Sequence, residues 1–421
     1  MKLVNIIKGA VLFIACVMSG TAAKSHYMPF RMNRADIDAV VGSGQAYCTK
    51  GLESIPADIT FGCADIKYKQ GAVKFCECGD AFFMSLRPCN IEFNDNHHWE
   101  VAPFWGIFWN YLKQFGLPIW HVGDGGPANA LALEELKKCG GRYVKTWNAL
   151  HHQLGCGKQR LAPQKSAGSA RINAYQGIVA FKDWGERVQD SKDFAEFKRT
   201  HPELIFVNAV AHGYLKRKDN TYRLFSDAGC TENLPFFRVY KSEYSEELVA
   251  QILNEFKSDV LVVKPTFGLC SNGVNVIRRD ELKSLLQLIL RDPGRIPKGE
   301  HRCLSYWRQA KPGSFIVSEC LESQHIEVGG KPYDPTMRVM YIMHHDNGAV
   351  HVNVLGGFWK IPVKSLSDRG SLTEQRVTIA HSGDQYTGIM VDRADAKVMK
   401  QKMTEILTKA YQMMLLQGPI A

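Results

Sequence analysis

The chain has no internal repeat and no low-complexity tract, which excludes solenoid arrays and compositionally disordered polymers. No run of Lys or Arg gathers its formal net charge of +10 into one patch, and no nucleic-acid-binding motif appears. A basic balance favours anionic partners, but with the charge spread out it serves equally as a solubility feature. Nucleic acid is therefore not an expected partner. There is no nucleophile elbow and no catalytic Cys/His signature. Beyond the N-terminus no segment is apolar enough to span a bilayer, which takes about 20 residues. What remains suits a folded globular protein, with 45% hydrophobic and 22% charged residues. At 421 residues it exceeds one typical core, so two or three lobes are expected.

The first 23 residues read as an export signal. Lys2 and Lys8 form a positive region, Ala10 to Met18 an apolar one, and Thr21-Ala22-Ala23 a small-residue cleavage site. The expectation is an exported protein (periplasmic, secreted or delivered to another cell), with no stable membrane insertion after cleavage. An uncleaved anchor that leaves the domain in the cytoplasm is the competing reading.

Without Cys16 of the signal, eleven of the 12 cysteines remain, five of them from Cys48 to Cys89. In an exported chain that density suggests disulfides, with at least one thiol left over. Cys76-Glu77-Cys78 has one intervening residue where structural zinc knuckles have two or more, so zinc is the weaker reading. His97-His98 with Glu100, and His151-His152 with Cys156, are metal-ligand types. They read more simply as surface polar residues.

Elements of both kinds alternate along the chain, which argues for an α+β or α/β fold. Ile119 to Val122 reads as a strand, Gly123 to Gly126 as a turn, and Pro127 to Lys138 as an amphipathic helix. Leu154 to Arg171 reads as a loop, and Leu204 to Ala211 as a strand. Ser245 to Phe256 and Asp280 to Leu290 read as helices. Strands are expected over Asp259 to Lys264, Ser314 to Leu321, Met337 to His344 and Ala349 to Leu355. Arg393 to Leu416 is a long helix whose methionines are core filler.

The sharpest segment runs Val262-Val263-Lys264-Pro265-Thr266-Phe267-Gly268-Leu269-Cys270-Ser271-Asn272-Gly273-Val274. A lysine ends a buried strand, a loop with two glycines follows, and a second strand begins. Such a lysine meets phosphate oxygens as a compact cation, and the glycines let backbone N–H groups come close to them. An ordinary hairpin with a surface lysine is the plain alternative.

This segment resembles the nucleotide-clamping hairpin of the ATP-grasp superfamily. Two later stretches resemble the family in the same order. Phe315-Ile316-Val317-Ser318-Glu319-Cys320-Leu321-Glu322 is similar to its interlobe hinge, which meets the adenine edge. Asp334-Pro335-Thr336-Met337-Arg338, leading to Phe358-Trp359-Lys360, is similar to its strands bearing Asp, Arg and a terminal basic residue. The family's metal hairpin, an Asp followed by Glu and Asn, has no match from Ser365 to Ala421. Asp65 to Asp80 is close to it, with Gly71 at the turn, Glu77 on the returning strand and Gly79 where Asn is usual. On an alternating pleat Cys76 and Cys78 point away from Glu77. The resemblance is thus to a circularly permuted ATP-grasp chain.

The resemblance implies ATP and Mg²⁺, with a nucleotide site between the lobes. Lys264, Gly268, Ser271, Asn272, Gly273, Glu319, Cys320, Leu321, Glu322 and Asp334 would bind nucleotide. Asp65 and Glu77 would bind metal, and Arg338 and Lys360 would act on the transferred phosphoryl group. A second phosphate-binding lysine is expected near Lys216-Arg217-Lys218-Asp219, with the residue left open. The implied activity is carboxylate–amine ligation through an acyl-phosphate, with carboxylate and amine partners unidentified. An exported ATP-grasp-like binding protein without catalysis is the alternative. The implied organisation is a signal over 1–23 and an N-terminal region over 24–115 carrying the hairpin. An α/β region over 116–230, the candidate substrate lobe, precedes the nucleotide module over 231–363 and a helical segment over 364–421.

Overall fold

The computed structural model describes residues 45–48, 51–80, 102–123, 130–156, 171–181, 192–268, 271–378 and 388–419. The export signal over 1–23, His97, His98, Glu100, the turn from Asp124 to Pro127 and most of the 154–171 loop lie outside the described residues.

Three strands come first: β1 (Gln45–Cys48), β2 (Asp58–Lys69) and β3 (Ala72–Asp80). Then β4 (Ile119–Val122), β5 (Arg142–Val144), β6 (Gly177–Phe181) and β7 (Leu204–Phe206) alternate with helices. Next are β8 (Phe237–Lys241), β9 (Val260–Pro265), β10 (Asn275–Arg278) and β11 (Ser314–Glu319). The last are β12 (Ile326–Val328), β13 (Lys331–Tyr333), β14 (Thr336–Asp346), β15 (Ala349–Lys360) and β16 (Gly388–Met390). A helix over Arg393–Gln417 follows, with Asp392 capping its first amides.

Among the described residues these strands make three sheets and a β12–β13 ribbon. The first sheet is antiparallel, ordered β1-β15-β14-β2-β3, with β16 on β15. The second is antiparallel, ordered β10-β9-β11-β8. The third is parallel, ordered β5-β4-β6-β7, as the strand–helix alternation of that region requires. The fold is mixed α and β, as expected.

The first sheet is covered on both faces. Ile59, Phe61 and Cys63 pack under Ile107 and Phe108 of the helix Ala102–Lys113. Ala64, Ile66 and Tyr68 pack with Met399, Met403 and Met414 of the last helix. This is the period-two alternation of a strand buried on both sides.

Two local features decide what β3 presents. The turn Gln70-Gly71 has φ of +50° and +85°, so it is a two-residue turn whose twist matches the strands it joins. In the register, Asp65 pairs with Glu77 but Ile66 pairs with Phe75, leaving Cys76 as a bulge. The extra residue reverses the alternation. Val73, Phe75 and Cys78 all face the core, and Glu77 faces the other way beside Asp65. Cys76 lines the same cleft as Glu77, which corrects the strict-pleat expectation for it.

Two other expectations are corrected. The strand from Leu204 stops at Phe206, short of Ala211. The chain turns at Asn208, whose φ is +64° and whose amide side chain bonds both the N–H and C=O of Phe61, at 2.7 and 3.0 Å. The suggested disulfides are also not realised among the described cysteines: Cys63, Cys76, Cys78, Cys139, Cys230, Cys303 and Cys320 are free thiols. Cys63 and Cys78 lie in different cores on opposite faces of one sheet, so they cannot meet. No helix among the described residues is long and apolar enough to cross a membrane.

Candidate functional site

A cleft of about 720 Å³, counted out to its open mouth, lies between the first and second sheets. Asp65, Lys67, Cys76, Glu77, Thr336 and Lys360 form one wall. Lys264, Ser271, Val274 and Val276 come from the β9–β10 hairpin, and Ser318 to Leu321 from the end of β11. Lys218 and Tyr222 close one end from a helix over Lys218–Asp227.

Lys264 is 6% exposed. Its ammonium donates to the Tyr222 hydroxyl at 2.7 Å and to the Cys76 carbonyl at 3.0 Å. Among the described residues it makes no ion pair with a carboxylate. Burial pulls its pKa down to about 8, with the charge of Lys218 adding to the effect. Lys218 reaches Glu77 at 3.2 Å and donates to the Gly268 carbonyl. Within Lys216 to Asp219, Lys218 is the lysine that lines the cleft. Arg217 is turned instead to Asp219, at 2.9 Å.

The loop joining β9 to β10 is held by its glycines and by Ser271. Ser271 has φ of +61° and its hydroxyl donates to the Thr378 carbonyl at 2.8 Å. Gly273 has φ of +74°, and a Cβ there would lie 2.8 Å from Pro265 and 2.9 Å from Tyr306. Its carbonyl accepts from the Trp307 indole N–H at 2.9 Å. Asn272 and Gly268 belong to the same loop but do not line the cleft; Leu269 and Cys270 lie outside the described residues.

Asp65 is enclosed by cations. Arg338 donates to both of its carboxylate oxygens, at 2.8 and 2.9 Å, and Lys360 donates to one at 2.5 Å. Burial alone would raise the pKa of Asp65; the two positive charges outweigh it and hold the carboxyl well below the usual range. Lys360 is itself pushed down, by burial first and by neighbouring Arg338 second.

The remaining expected residues separate. Glu319, Cys320 and Leu321 line the cleft, and Glu319 accepts from the Ser258 hydroxyl at 3.2 Å. Glu322 turns to Arg376 at 2.9 Å and does not line it. Asp334 is fully buried, bonded to Lys67 at 3.0 Å, to Arg376 at 3.2 Å and to the Ser323 N–H at 2.8 Å. It stands behind the cleft wall and buttresses it.

Mg²⁺ and a nucleotide can be tested against these groups. Mg²⁺ is commonly held by one or two carboxylates together with phosphate oxygens. Glu77 fits that role, facing the cleft with Lys218 as its one lysine partner among the described residues. Asp65 does not fit, since three of its acceptor positions are taken by cationic donors that would repel a metal ion. No group of three or more His, Cys, Asp or Glu suited to a metal occurs among the described residues. His151 is exposed and bonds His201 at 3.0 Å, and His201 bonds Glu203 at 2.8 Å.

Sequence reasoning missed Lys67, Tyr222 and the stretch Arg376 to Thr378. Lys67 was reachable, because it is two residues from Asp65 on one strand and therefore on its face. Tyr222 is four residues from Lys218 on one helix, which puts both on one side. Nothing in the local pattern flags Arg376.

No family model matches the chain, and no curated protein matches it. Several solved structures are similar over most of their length. A D-cycloserine synthetase is 13% identical over 72% of this chain and 83% of its own, with a TM-score of 0.38. The VanG D-Ala:D-Ser ligase from Enterococcus faecalis is 12% identical over 71% and 83%, with a TM-score of 0.36. The D-alanyl-alanine synthetase A from Vibrio cholerae is 8% identical over 70% and 81%, with a TM-score of 0.32.

Proposed function

We propose that this chain binds ATP in the cleft between its first and second sheets, and uses it to join a carboxylate to an amine. The observation that carries the reading is Lys264: a buried lysine, without a carboxylate partner among the described residues, at the end of β9 beneath a glycine-bearing loop. A buried cation without an anion is costly, and a phosphate group supplies the missing charge. Lys218 stands beside it, and the end of β11 offers extended backbone opposite for a base. The order of these pieces supports the ATP-grasp resemblance. The pairing of β2 with β14 in one sheet supports its permuted form, since it brings Glu77 to the cleft from the N-terminal side.

In this chemistry a substrate carboxylate oxygen takes the terminal phosphoryl group of ATP, releasing ADP. An amine then attacks the acyl carbon and phosphate leaves. Lys264 and Lys218 would hold the phosphates and draw charge from them. Glu77 would hold Mg²⁺, whose contribution when bound is to neutralise phosphate charge. Lys360, on the opposite wall, would face the acyl-phosphate, with Arg338 fixing its position through Asp65.

The exported, non-catalytic binding protein is a second reading, and one observation favours it: Asp65, one of the two expected metal carboxylates, is already committed to Arg338 and Lys360. The free thiols favour a reducing, ATP-containing destination, because disulfides persist in oxidising compartments. We propose export with delivery into such a compartment, to be tested by fractionating a C-terminally tagged full chain.

Calorimetric titration of the purified protein with ATP, with and without Mg²⁺, tests the main reading, followed by a screen for ADP release with amino-acid and hydroxylamine acceptors. Mg²⁺-dependent binding with ADP release supports the ligase. Binding without turnover turns the reading to the binding protein. Absence of binding up to millimolar ATP overturns both.

A further inference from the structure

The cleft has a fifth contributor. Residues 371–378 leave the first sheet after β15, and a capping box between Ser371 and Glu374 shapes them into one short helical turn. They are tied to the hairpin, to the segment after β11 and to the first sheet. Thr373 accepts from the Val276 N–H at 2.9 Å and donates to the Val276 carbonyl at 3.1 Å, which holds the β9–β10 hairpin. Val377 packs against Val276 and Cys303 in a small apolar cluster. Arg376 reaches the other way, to Glu322 just past β11 at 2.9 Å and to Asp334 at the foot of β14 at 3.2 Å. Its buried Nε has no acceptor among the described residues, so the guanidinium is only partly satisfied in this arrangement.

We propose that residues 371–378 are a strap coupling the hairpin, the hinge and the first sheet, with Arg376 as the positioning residue that sets its tension. The inference rests on the ATP reading of the cleft. Its physical basis is that the hairpin meets the first sheet mainly across the open cleft. A segment hydrogen-bonded to one wall and ion-paired to the others transmits a shift in either. Arg376 suits this role because its planar fork presents donors on separate nitrogens, Nη2 to Glu322 and Nη1 to Asp334, in a fixed geometry that a lysine's single ammonium lacks. Ligand held between the walls draws them together, and the strap's bonds shorten the range over which they separate.

Hydrogen–deuterium exchange on the full chain, with and without Mg-ATP, tests this in wild type, Arg376→Ala, Arg376→Lys and Thr373→Val. In the ligand-free protein, Arg376→Ala is expected to speed exchange in peptides covering 371–378 and 275–278, with β2 and β14 unchanged. Mg-ATP is expected to protect both peptides in wild type. The ATP affinity of Arg376→Ala should fall roughly tenfold, as loss of a charge-assisted pair implies. Arg376→Lys should recover only part of it. Thr373→Val, which cuts the strap from the hairpin and leaves Arg376 intact, should loosen the same two peptides. Unchanged exchange at 275–278 in both variants overturns the coupling, and so does a uniform rise that includes β2 and β14. If wild type binds no ATP, the functional reading fails, while the ligand-free exchange still decides whether the strap couples the walls.

Discussion

Asp65 on β2 and Arg338 on β14 occupy one paired register position, and the guanidinium grips both carboxylate oxygens at 2.8 and 2.9 Å. Lys360 from β15 completes a buried triad of one anion and two cations. A geometry this complete holds together the first-sheet wall of the cleft, and it sets the first prediction.

Asp65→Asn leaves two buried cations with one neutral partner. Breaking a buried pair costs about 3–5 kcal/mol, so a loss of that size is expected in urea unfolding, together with poor expression. Near-wild-type stability, with only metal binding lost, would instead assign Asp65 to the metal.

Glu77→Gln is expected to behave differently. Glu77 has one lysine partner among the described residues and faces the open cleft, so stability should change little. ATP binding without Mg²⁺ should persist or strengthen, because a negative charge near the phosphates has gone. The gain on adding Mg²⁺ should disappear. Calorimetry with and without Mg²⁺ separates these effects.

The pH dependence of Lys264 has two opposite slopes. Charged Lys264 holds phosphate, so ATP affinity should fall as pH rises through about 8. In the unfolded chain the same lysine titrates near its ordinary value of about 10.4. Between these values the unfolded state binds more protons, so ligand-free stability should rise over the same interval. Lys264→Met should flatten both slopes and weaken ATP binding roughly tenfold or more. Parallel titrations and melting curves in buffers from pH 7 to 10 check both.

Gly273→Ala puts a Cβ within 3 Å of Pro265 and Tyr306 at a φ of +74°. Overpacking of this kind costs about 1–3 kcal/mol. The damage should centre on the β9–β10 loop, with ATP affinity falling alongside the thermal midpoint. A variant as stable and as tight-binding as wild type would show that the loop yields easily.

The sequence by itself determined the local devices. The turn at Gly71, the helix from Ser245, the strand that carries Lys264 near its end and the long Met-bearing helix were legible, because each is set by turn chemistry or by the period of apolar residues over a short stretch. Only the tertiary structure decided what those pieces do to one another. A single bulge at Cys76 turns Glu77 into the cleft, which strict alternation could not anticipate. Pairing of strands 273 residues apart in the chain converts Asp65 from an expected metal ligand into the partner of Arg338. Arg376, which no local pattern marks, enters the site because the chain after β15 crosses back over the hairpin. Propensity and periodicity act over a turn or a strand. Charge pairing and burial depend on which distant segments share a wall, and that is settled when the sheets pack.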